Sequence, residues 1–321
     1  MDFTLLIENL TNPALLFFVL GILAVYLKSD LEIPANSSKF ISLYLLFAIG
    51  FKGGQELAQE PFTAEIGWSL LFGIAISMII PIYCFFILRK KFNVFDSGAI
   101  AAAYGSVSAV TFVTAIAYLE SMELSVQGHM VAIMALMESP AIIVGLIMIS
   151  LFQKEGSARI KKRAALQHSL TNGSVVLILG SLIIGILADA KHAADIKPFT
   201  DDLFKGFLAI FLLDMGITSG RKLKSFFAFG WFPLLFAIVL PILNGIAFAY
   251  LSSIVTDDVA NRFMFGILAA SASYIAVPAA MKITAPQANP GLFLPMALGI
   301  TFPVNITIGM PIYMLVVQMT S

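Results

Sequence analysis

The chain has 321 residues, of which 59% are hydrophobic and only 12% are charged, and its mean hydropathy is +0.94. Soluble domains carry roughly a quarter charged residues, so this composition excludes an ordinary soluble protein. The 19 basic and 19 acidic residues cancel, which excludes the strongly basic surface of a nucleic-acid-binding protein.

Hydrophobic runs long enough to cross a bilayer, roughly 17–25 residues each, recur along the chain. They predict an all-α polytopic membrane protein with ten transmembrane helices. A polar, basic stretch divides the helices into two sets of five, which gives a first repeat at residues 1–152, a cytoplasmic linker at 153–169 and a second repeat at 170–321. The helices are expected near residues 13–28, 39–57, 65–88, 96–119, 127–152, 170–188, 203–220, 226–252, 261–282 and 291–318.

Basic residues are concentrated in the loops after the odd-numbered helices. The positive-inside rule therefore predicts that these loops are cytoplasmic and that both termini lie outside an inner (plasma) membrane. The residues in these loops are Lys28, Lys39, Arg89, Lys90, Lys91, Lys154, Arg159, Lys161, Lys162, Arg163, Arg221, Lys222, Lys224 and Lys282.

Sequence landmarks recur in the same order in both halves. Because five helices per half is an odd number, the second half must enter the membrane from the opposite side, which predicts two inverted five-helix repeats. The matched segments are Gly21-Ile-Leu-Ala24 with Gly185-Ile-Leu-Ala188, Gly50-Phe-Lys-Gly-Gly54 with Gly216-Ile-Thr-Ser-Gly220, Ser106 and Ser108 with Ser271 and Ser273, and Met137-Glu-Ser-Pro140 with Ile300-Thr-Phe-Pro303.

The fourth and ninth hydrophobic runs are interrupted by small polar residues. The first interruption reads Tyr104-Gly-Ser-Val-Ser108, and the second reads Ala270-Ser-Ala-Ser-Tyr274. Each Ser-x-Ser predicts a helix that stops and restarts near the membrane centre, with serine as the cap of the restarting half. A matched pair of broken helices in two repeats is typical of a transporter's substrate site.

The two broken helices are expected to run in opposite directions, so the N-termini of their second halves would face each other. Free N–H groups and partial positive charge at both ends would make an anion site. The alternative is that the small residues only allow close helix packing. The predicted anion-binding residues are Gly105, Ser106, Val107, Ser108, Ala272, Ser273 and Tyr274.

Glu138 lies well inside the fifth hydrophobic run. An ionisable residue in a membrane helix is costly, which suggests a sodium ligand or a proton carrier; the alternative is a hydrogen bond to backbone freed by Pro140. Its repeat mate Thr301 and the nearby Asn305 offer neutral oxygen atoms of the kind that hard cations accept. The predicted Na⁺ ligands are Ser108, Thr111, Glu138 and Asn305, together with backbone carbonyls.

Other polar residues carry weaker predictions. Lys52 and Asp214 lie in repeat-matched segments, and either charge could line the site or simply pair near a helix end. The three histidines, His129, His168 and His192, fall at helix ends or in loops and are predicted to be surface residues. Without a histidine inside a membrane helix, we predict no enzyme, no catalytic residues and no cofactor apart from the coupling ion.

Six short motifs occur in order along the chain: Ile49-Gly-Phe-Lys-Gly-Gly54, Gly105-Ser-Val-Ser108, Glu138-Ser-Pro-Ala141, Met215-Gly216, Ala270-Ser-Ala-Ser273 and Ala288-Asn-Pro290. This ordered set resembles the sodium-dependent bicarbonate transporter family known from cyanobacteria. The resemblance covers essentially the whole chain. In this chain Tyr274 stands where the cyanobacterial members carry an aspartate, and Glu138 replaces another aspartate.

The resemblance implies a core domain and a gate domain, a homotrimer, and an elevator-like movement that couples bicarbonate uptake to Na⁺. It also implies a PII-like regulatory protein that binds the cytoplasmic face. Our leading hypothesis is thus a Na⁺-coupled symporter of a small anion, bicarbonate first, in contact with membrane lipid. The alternatives are a proton-coupled transporter of another small inorganic or carboxylate anion and, more remotely, a channel or an intramembrane enzyme.

Overall fold

A computed structural model describes residues 13–59, 63–153, 173–226, 229–274 and 276–320. All regular secondary structure within these ranges is helical. The predicted linker at 153–169 lies outside the described residues except for Gln153. The helices of the first half are α1 Pro13–Tyr26, α2 Ala35–Gln59, α3 Ala64–Leu88, α4 Val94–Gly105, α5 Ala109–Ser121 and α6 His129–Phe152.

The second half repeats this succession with one additional short helix before its second long one. A π-helical turn at Pro198–Asp202 joins that short helix to the next, and the last helix alternates between α-helical and π-helical turns. The helices are α7 Gly173–Leu187, α8 Ala190–Lys197, α9 Phe204–Phe226, α10 Trp231–Leu251, α11 Val259–Ala270, α12 Ala276–Thr284 and α13 Pro290–Thr320.

Within the described ranges, six helical segments are long and apolar enough to cross a membrane. Three shorter apolar helices, Leu16–Tyr26, Val176–Leu187 and Val259–Ala270, lie at three of the other predicted positions. The remaining one, α2, contains Lys52 and Glu56 and is more polar. Every predicted hydrophobic run therefore coincides with a helix. The six segments are Ala64–Leu88, Val94–Ser121, His129–Phe152, Lys191–Arg221, Trp231–Ile254 and Pro290–Thr320.

Glycines bring α1 against α9 and α2 against α7. A Cβ added to Gly216 would lie 3.1 Å from the Cα of Gly21, and a Cβ added to Gly185 would lie 3.0 Å from the Cα of Gly54. Gly21 and Gly185 are the matched glycines of the two Gly-Ile-Leu-Ala segments, so Gly54 takes the place of Gly216. The sequence had matched Gly216 with Gly50. That pairing is wrong by four residues, or about one helical turn, because the sequence motif does not indicate which glycine contacts the backbone of the facing helix.

The interrupted segment α4–α5 lies in the interior of the bundle. Of the residues in its 18-residue apolar stretch, 83% are buried, against 39% for the corresponding stretch of the neighbouring α3. Gly98 and Gly145 allow α4 to pack closely on α6, and Gly105 lies against Pro81 of α3. Irregular backbone at membrane depth is tolerated only where protein or a cavity surrounds it, and this burial supplies that protection.

Candidate functional site

The first helix break comprises Ser106, Val107 and Ser108. Helix α4 ends at Gly105 and α5 begins at Ala109, where the sequence predicted the interruption. Ser108 is the N-cap of α5, and its hydroxyl oxygen accepts the N–H of Thr111 at 3.2 Å. The capping role predicted for a serine is therefore confirmed at this position.

The second break comprises Ser271 to Tyr274, between α11 and α12. It lies directly against the first. The backbone N–H of Ser273 donates to the carbonyl of Ala103 at 2.8 Å, and the N–H of Ser108 donates to the Ser271 hydroxyl at 3.2 Å. The structure thus brings together all seven predicted anion-site residues, which lie more than 160 positions apart in the two halves of the chain.

Backbone N–H groups at the first break are available for a ligand. Within the described ranges, the N–H groups of Val107, Ala109 and Val110 donate to no acceptor. They lie at the N-terminal end of α5, where the helix dipole contributes partial positive charge. Ser106, Ser108 and Ser273 are all buried beside them. This end of the helix has the chemistry of an anion site without an arginine.

Tyr274 lies at the end of the second break. Its hydroxyl lies 3.8 Å from the sulfur of Met215 in α9 and also interacts with the side chain of Ser108. Its ring packs edge-on against Phe302, at 6.4 Å between ring centroids. Tyr274, which belongs to the second break, therefore contacts the first break and the helices α9 and α13.

Glu138 lies on the face of α6 that packs against α4. It precedes Gly145 by seven residues and Ile149 by eleven, spacings that return to the same side of a helix. Gly145 and Ile149 contact α4 at Ala102 and Gly98, so the two helices run antiparallel. The turn of α6 that carries Glu138 therefore stands opposite the break that follows α4. Its carboxylate has no hydrogen bond or ion pair within the described part of the chain.

Both ends of the Asn305 side-chain amide are hydrogen-bonded within the protein. Its side-chain N–H donates to the carbonyl of Ala270 at 2.8 Å, and its oxygen accepts the hydroxyl of Tyr313 at 2.9 Å. Thr111 is buried in the first turn of α5, where its N–H is held by Ser108. The predicted cation set is therefore divided: Glu138 faces the break, whereas Asn305 supports the end of α11.

Three tyrosine contacts around the breaks were missed from the sequence. Tyr83 donates to Asn244 at 2.6 Å, Tyr313 donates to Asn305, and the Tyr104 hydroxyl lies 2.7 Å from that of Thr301. Each joins residues far apart in the chain or on separate turns. The only sequence signal was the presence of asparagine and tyrosine inside otherwise apolar helices.

Two cavities lie at opposite ends of α2. The Lys52 cavity, of about 490 Å³, is lined by charged residues that include Lys52, Glu56, Glu120, Asp201 and Lys205. Glu120 at the end of α5 pairs with Lys52 at 2.9 Å and with Lys205 at 3.5 Å. These ion pairs join α5 to α2 and α9 at this end of the bundle.

The Asp214 cavity, of about 450 Å³, lies at the start of α2 and reaches Tyr274. Its lining includes Lys39, Asp214 and Arg221, and Ser38 donates a hydrogen bond to the Asp214 carboxylate. The Lys52 cavity does not extend so far, since its lining in α5 begins at Ile116, two turns beyond the first break.

The two cavities are built from matching positions. Lys52 and Asp214 are separated by the same number of residues as Gly54 and Gly216. The same spacing relates seven further pairs of lining residues, which belong to α2, α9 and the turn before α9. Residues of the Lys52 cavity and their counterparts in the Asp214 cavity are Ile49 and Phe211, Gly53 and Met215, Glu56 and Thr218, Thr200 and Ser38, Asp201 and Lys39, Phe204 and Ser42, and Lys205 and Leu43.

His129 corrects one prediction. It begins α6 and is only 1% exposed, because the adjoining Gly128 packs against Gly53 of α2. It is a buried residue and not a surface one. His192 is exposed beside Asp189, as predicted, and His168 lies outside the described residues.

Crossed helix breaks inside an apolar bundle fit a membrane transporter, and comparison with known proteins agrees. The model of the Na⁺-dependent bicarbonate transporter superfamily matches residues 13–318. The chain belongs to this superfamily. A search among curated proteins found no match. This membership, together with the apolar helices, identifies the chain as a multi-pass membrane protein of a transporter family. It also confirms the resemblance seen in the sequence motifs.

Proposed function

We propose that the chain is a Na⁺-coupled symporter that imports a small anion, bicarbonate first, through an inner membrane. The crossed helix breaks carry this proposal, because the N–H groups of Val107, Ala109 and Val110, which meet no acceptor among the described residues, lie there beside the buried Ser106 and Ser273. A planar oxyanion can accept several such N–H groups at once. The superfamily's dependence on Na⁺ and bicarbonate supports the choice of both ligands.

Alternating access follows from treating the halves as two inverted repeats. The matching positions of the Lys52 and Asp214 cavities support this symmetry, since each would be the access route on its own side. With the odd-numbered loops in the cytoplasm, the Asp214 cavity opens inward and reaches Tyr274. The Lys52 cavity stops two turns short of the break at Ile116. The conformation is then inward-open.

The division into moving parts is also proposed. Helices α1, α2, α7 and α9 pack together through their glycines and would form the gate domain. The broken helices, with α3, α6, α10 and α13, would form the core domain that carries the ligands in an elevator movement. A homotrimer and a PII-like cytoplasmic regulator are the assembly and the partner that the family resemblance suggests.

Uptake of labelled bicarbonate into proteoliposomes tests the function. We expect uptake to require an inward Na⁺ gradient and to vanish when choline replaces Na⁺. Uptake that ignores Na⁺ would contradict the coupling, and absence of uptake would contradict the choice of bicarbonate. Formate and nitrate are suitable competitors, because they share the planar oxyanion shape.

A proton-coupled carrier is the second candidate, favoured by one observation. Glu138 has no hydrogen bond or ion pair within the described ranges, so it could take up and release a proton. A proton-coupled carrier would take up the anion in response to a pH gradient in Na⁺-free buffer. The same proteoliposomes distinguish the two couplings directly.

A further inference from the structure

Pro81 in the first half and Pro241 in the second each free a backbone carbonyl, and the two carbonyls are treated differently. Because proline has no N–H, Pro81 leaves the carbonyl of Ser77 without its helical donor, and Pro241 does the same to Ala237. The Thr301 hydroxyl donates to the Ala237 carbonyl at 2.8 Å. In the described part of the chain no side chain donates to the Ser77 carbonyl, which lies beside Gly105.

The last carbonyls of the two helices that end at the breaks show the same contrast. At the end of α11, Asn244 donates to the carbonyl of Ala269 at 3.2 Å, and Asn305 donates to that of Ala270 at 2.8 Å. At the end of α4, the carbonyls of Tyr104 and Gly105 accept no hydrogen bond from any described residue.

The first half has no amide side chain at the two positions that match Asn244 and Asn305. Asn244 stands three residues after Pro241, and the residue three after Pro81 is Cys84. Asn305 stands two residues after Pro303, and the residue two after Pro140 is Ile142. Cys84 is 0% exposed and Ile142 is 1% exposed, so apolar side chains fill the matching places.

The side-chain oxygens differ in the same way. Ser271 in the second half donates to the carbonyl of Leu268 at 3.1 Å and accepts the N–H of Ser108. Its repeat mate Ser106 is 0% exposed, and its hydroxyl has no hydrogen-bond partner among the described residues. Glu138, which also has no hydrogen bond or ion pair in the described part of the chain, takes the place of Thr301.

From this contrast we propose that the chain binds one Na⁺, in the first half only. Its ligands are the carbonyls of Ser77, Tyr104 and Gly105, the Ser106 hydroxyl and the Glu138 carboxylate. The second half satisfies the matching acceptors with its own donors and holds no cation. The proposal rests on the proposed function in that this Na⁺ is the coupling ion.

Physical chemistry favours a monovalent cation at this position. Buried oxygen atoms without donors are unstable unless something positive compensates them. The C-terminal end of α4 adds partial negative charge, and half-helix ends with unwound carbonyls are where transporters coordinate Na⁺. A single carboxylate among neutral oxygens balances one positive charge. This set keeps Glu138 and replaces Ser108, Thr111 and Asn305.

Equilibrium binding of radioactive ²²Na⁺ to the purified full-length protein tests the proposal. We expect one Na⁺ per chain. Ser106→Ala and Glu138→Gln should each weaken binding about tenfold or more, as expected for a lost ligand in a small site. Asn244→Ala is the matched control from the second half: it should lower the melting temperature but keep one Na⁺ with an affinity within about twofold of the original.

A substitution that adds a donor tests the same idea without removing a ligand. Ile142→Asn introduces an amide at the position matching Asn305 and should abolish Na⁺ binding, whereas Ile142→Leu should keep it. If Ile142→Asn does not fold, the Ser106 and Glu138 variants still decide the matter.

Two bound Na⁺ per chain would overturn the proposal, as would unchanged affinity in both the Ser106→Ala and Glu138→Gln variants. Binding needs no transport, so the outcomes separate from those of the proposed function. One bound Na⁺ without Na⁺-driven uptake contradicts the function alone. Na⁺-driven bicarbonate uptake with two bound Na⁺ contradicts this inference alone.

Discussion

Ser108 has two tasks at the first break. Its side chain caps α5 through the N–H of Thr111, and its own N–H ties the break to Ser271. A cap that fixes the first turn of α5 also fixes the direction of the free N–H groups on Ala109 and Val110. The position of one hydroxyl therefore controls the shape of the proposed anion site.

Ser108→Ala should reduce both stability and anion affinity. Loss of an N-cap costs about 1 kcal/mol in the free energy of unfolding. We expect the KM for bicarbonate to rise several-fold, because the first turn of α5 loosens. Thr63→Ala is the control, since Thr63 caps α3 in the same way, accepting the N–H of Ile66 at 3.4 Å, away from the breaks. An equal change in KM for both variants would contradict the assigned role.

At the scale of whole helices, close glycine contacts determine how the α1–α9 and α2–α7 pairs fit together. Gly54 and Gly216 occupy matching places, each with a partner backbone within about van der Waals contact. No side chain larger than hydrogen fits there without moving a helix. Small residues have this use at membrane helix interfaces, where backbones approach closely.

Gly54→Ala and Gly216→Ala should each destabilise the protein by about 1–3 kcal/mol, the usual cost of overpacking. Gly67→Ala in α3 is the control, because nothing lies within 4 Å of its added Cβ. That substitution should be neutral or stabilise by up to about 1 kcal/mol, since alanine favours the helix. Thermal unfolding in detergent measures all three. A neutral Gly54→Ala would contradict the packing described for α2 and α7.

The sequence predicted helix positions and both breaks, because hydrophobic length and serine caps are local signals. It also selected Glu138, since a carboxylate in an apolar run is conspicuous. The role of Asn305 could not be predicted, because its partners Ala270 and Tyr313 are known only after folding. For the same reason motif matching missed the one-turn shift at Gly54 and the burial of His129.

At the scale of the molecule, the two ends of the bundle are closed differently. Glu120 of α5 joins Lys52 and Lys205, which belong to the proposed gate. At the other end Arg221 pairs with Glu32 at 3.6 Å, and this pair stays within the α1–α2 and α9 side of the structure. Charge therefore connects the proposed core and gate at the Lys52 cavity, through Glu120.

Glu120→Gln should open the Lys52 cavity more often. We would introduce Ile116→Cys in a Cys84→Ala background and measure its rate of modification by a charged thiol reagent. The rate should rise several-fold with Glu120→Gln, because the ion pairs with Lys52 and Lys205 are lost. Glu32→Gln is the matched control at the opposite end and should leave the rate unchanged. An equal effect of both substitutions would contradict the role of the Glu120 ion pairs in keeping this cavity closed.

The two charged cavities also shape the electric field across the membrane. With both cavities filled by water and ions, the membrane potential would fall mainly over the short stretch of protein between Ile116 and Tyr274, which line the two cavities. Moving one charge through the full potential is worth about 2.3 kcal/mol per 100 mV. In the proposed mechanism, a site loaded with Na⁺ and bicarbonate, together with the Glu138 carboxylate, would carry one net negative charge, the same as the empty site. A membrane potential that is negative inside would therefore slow the inward movement of the loaded site and speed the outward return of the empty site. The potential would thus favour the outward-facing state of the carrier.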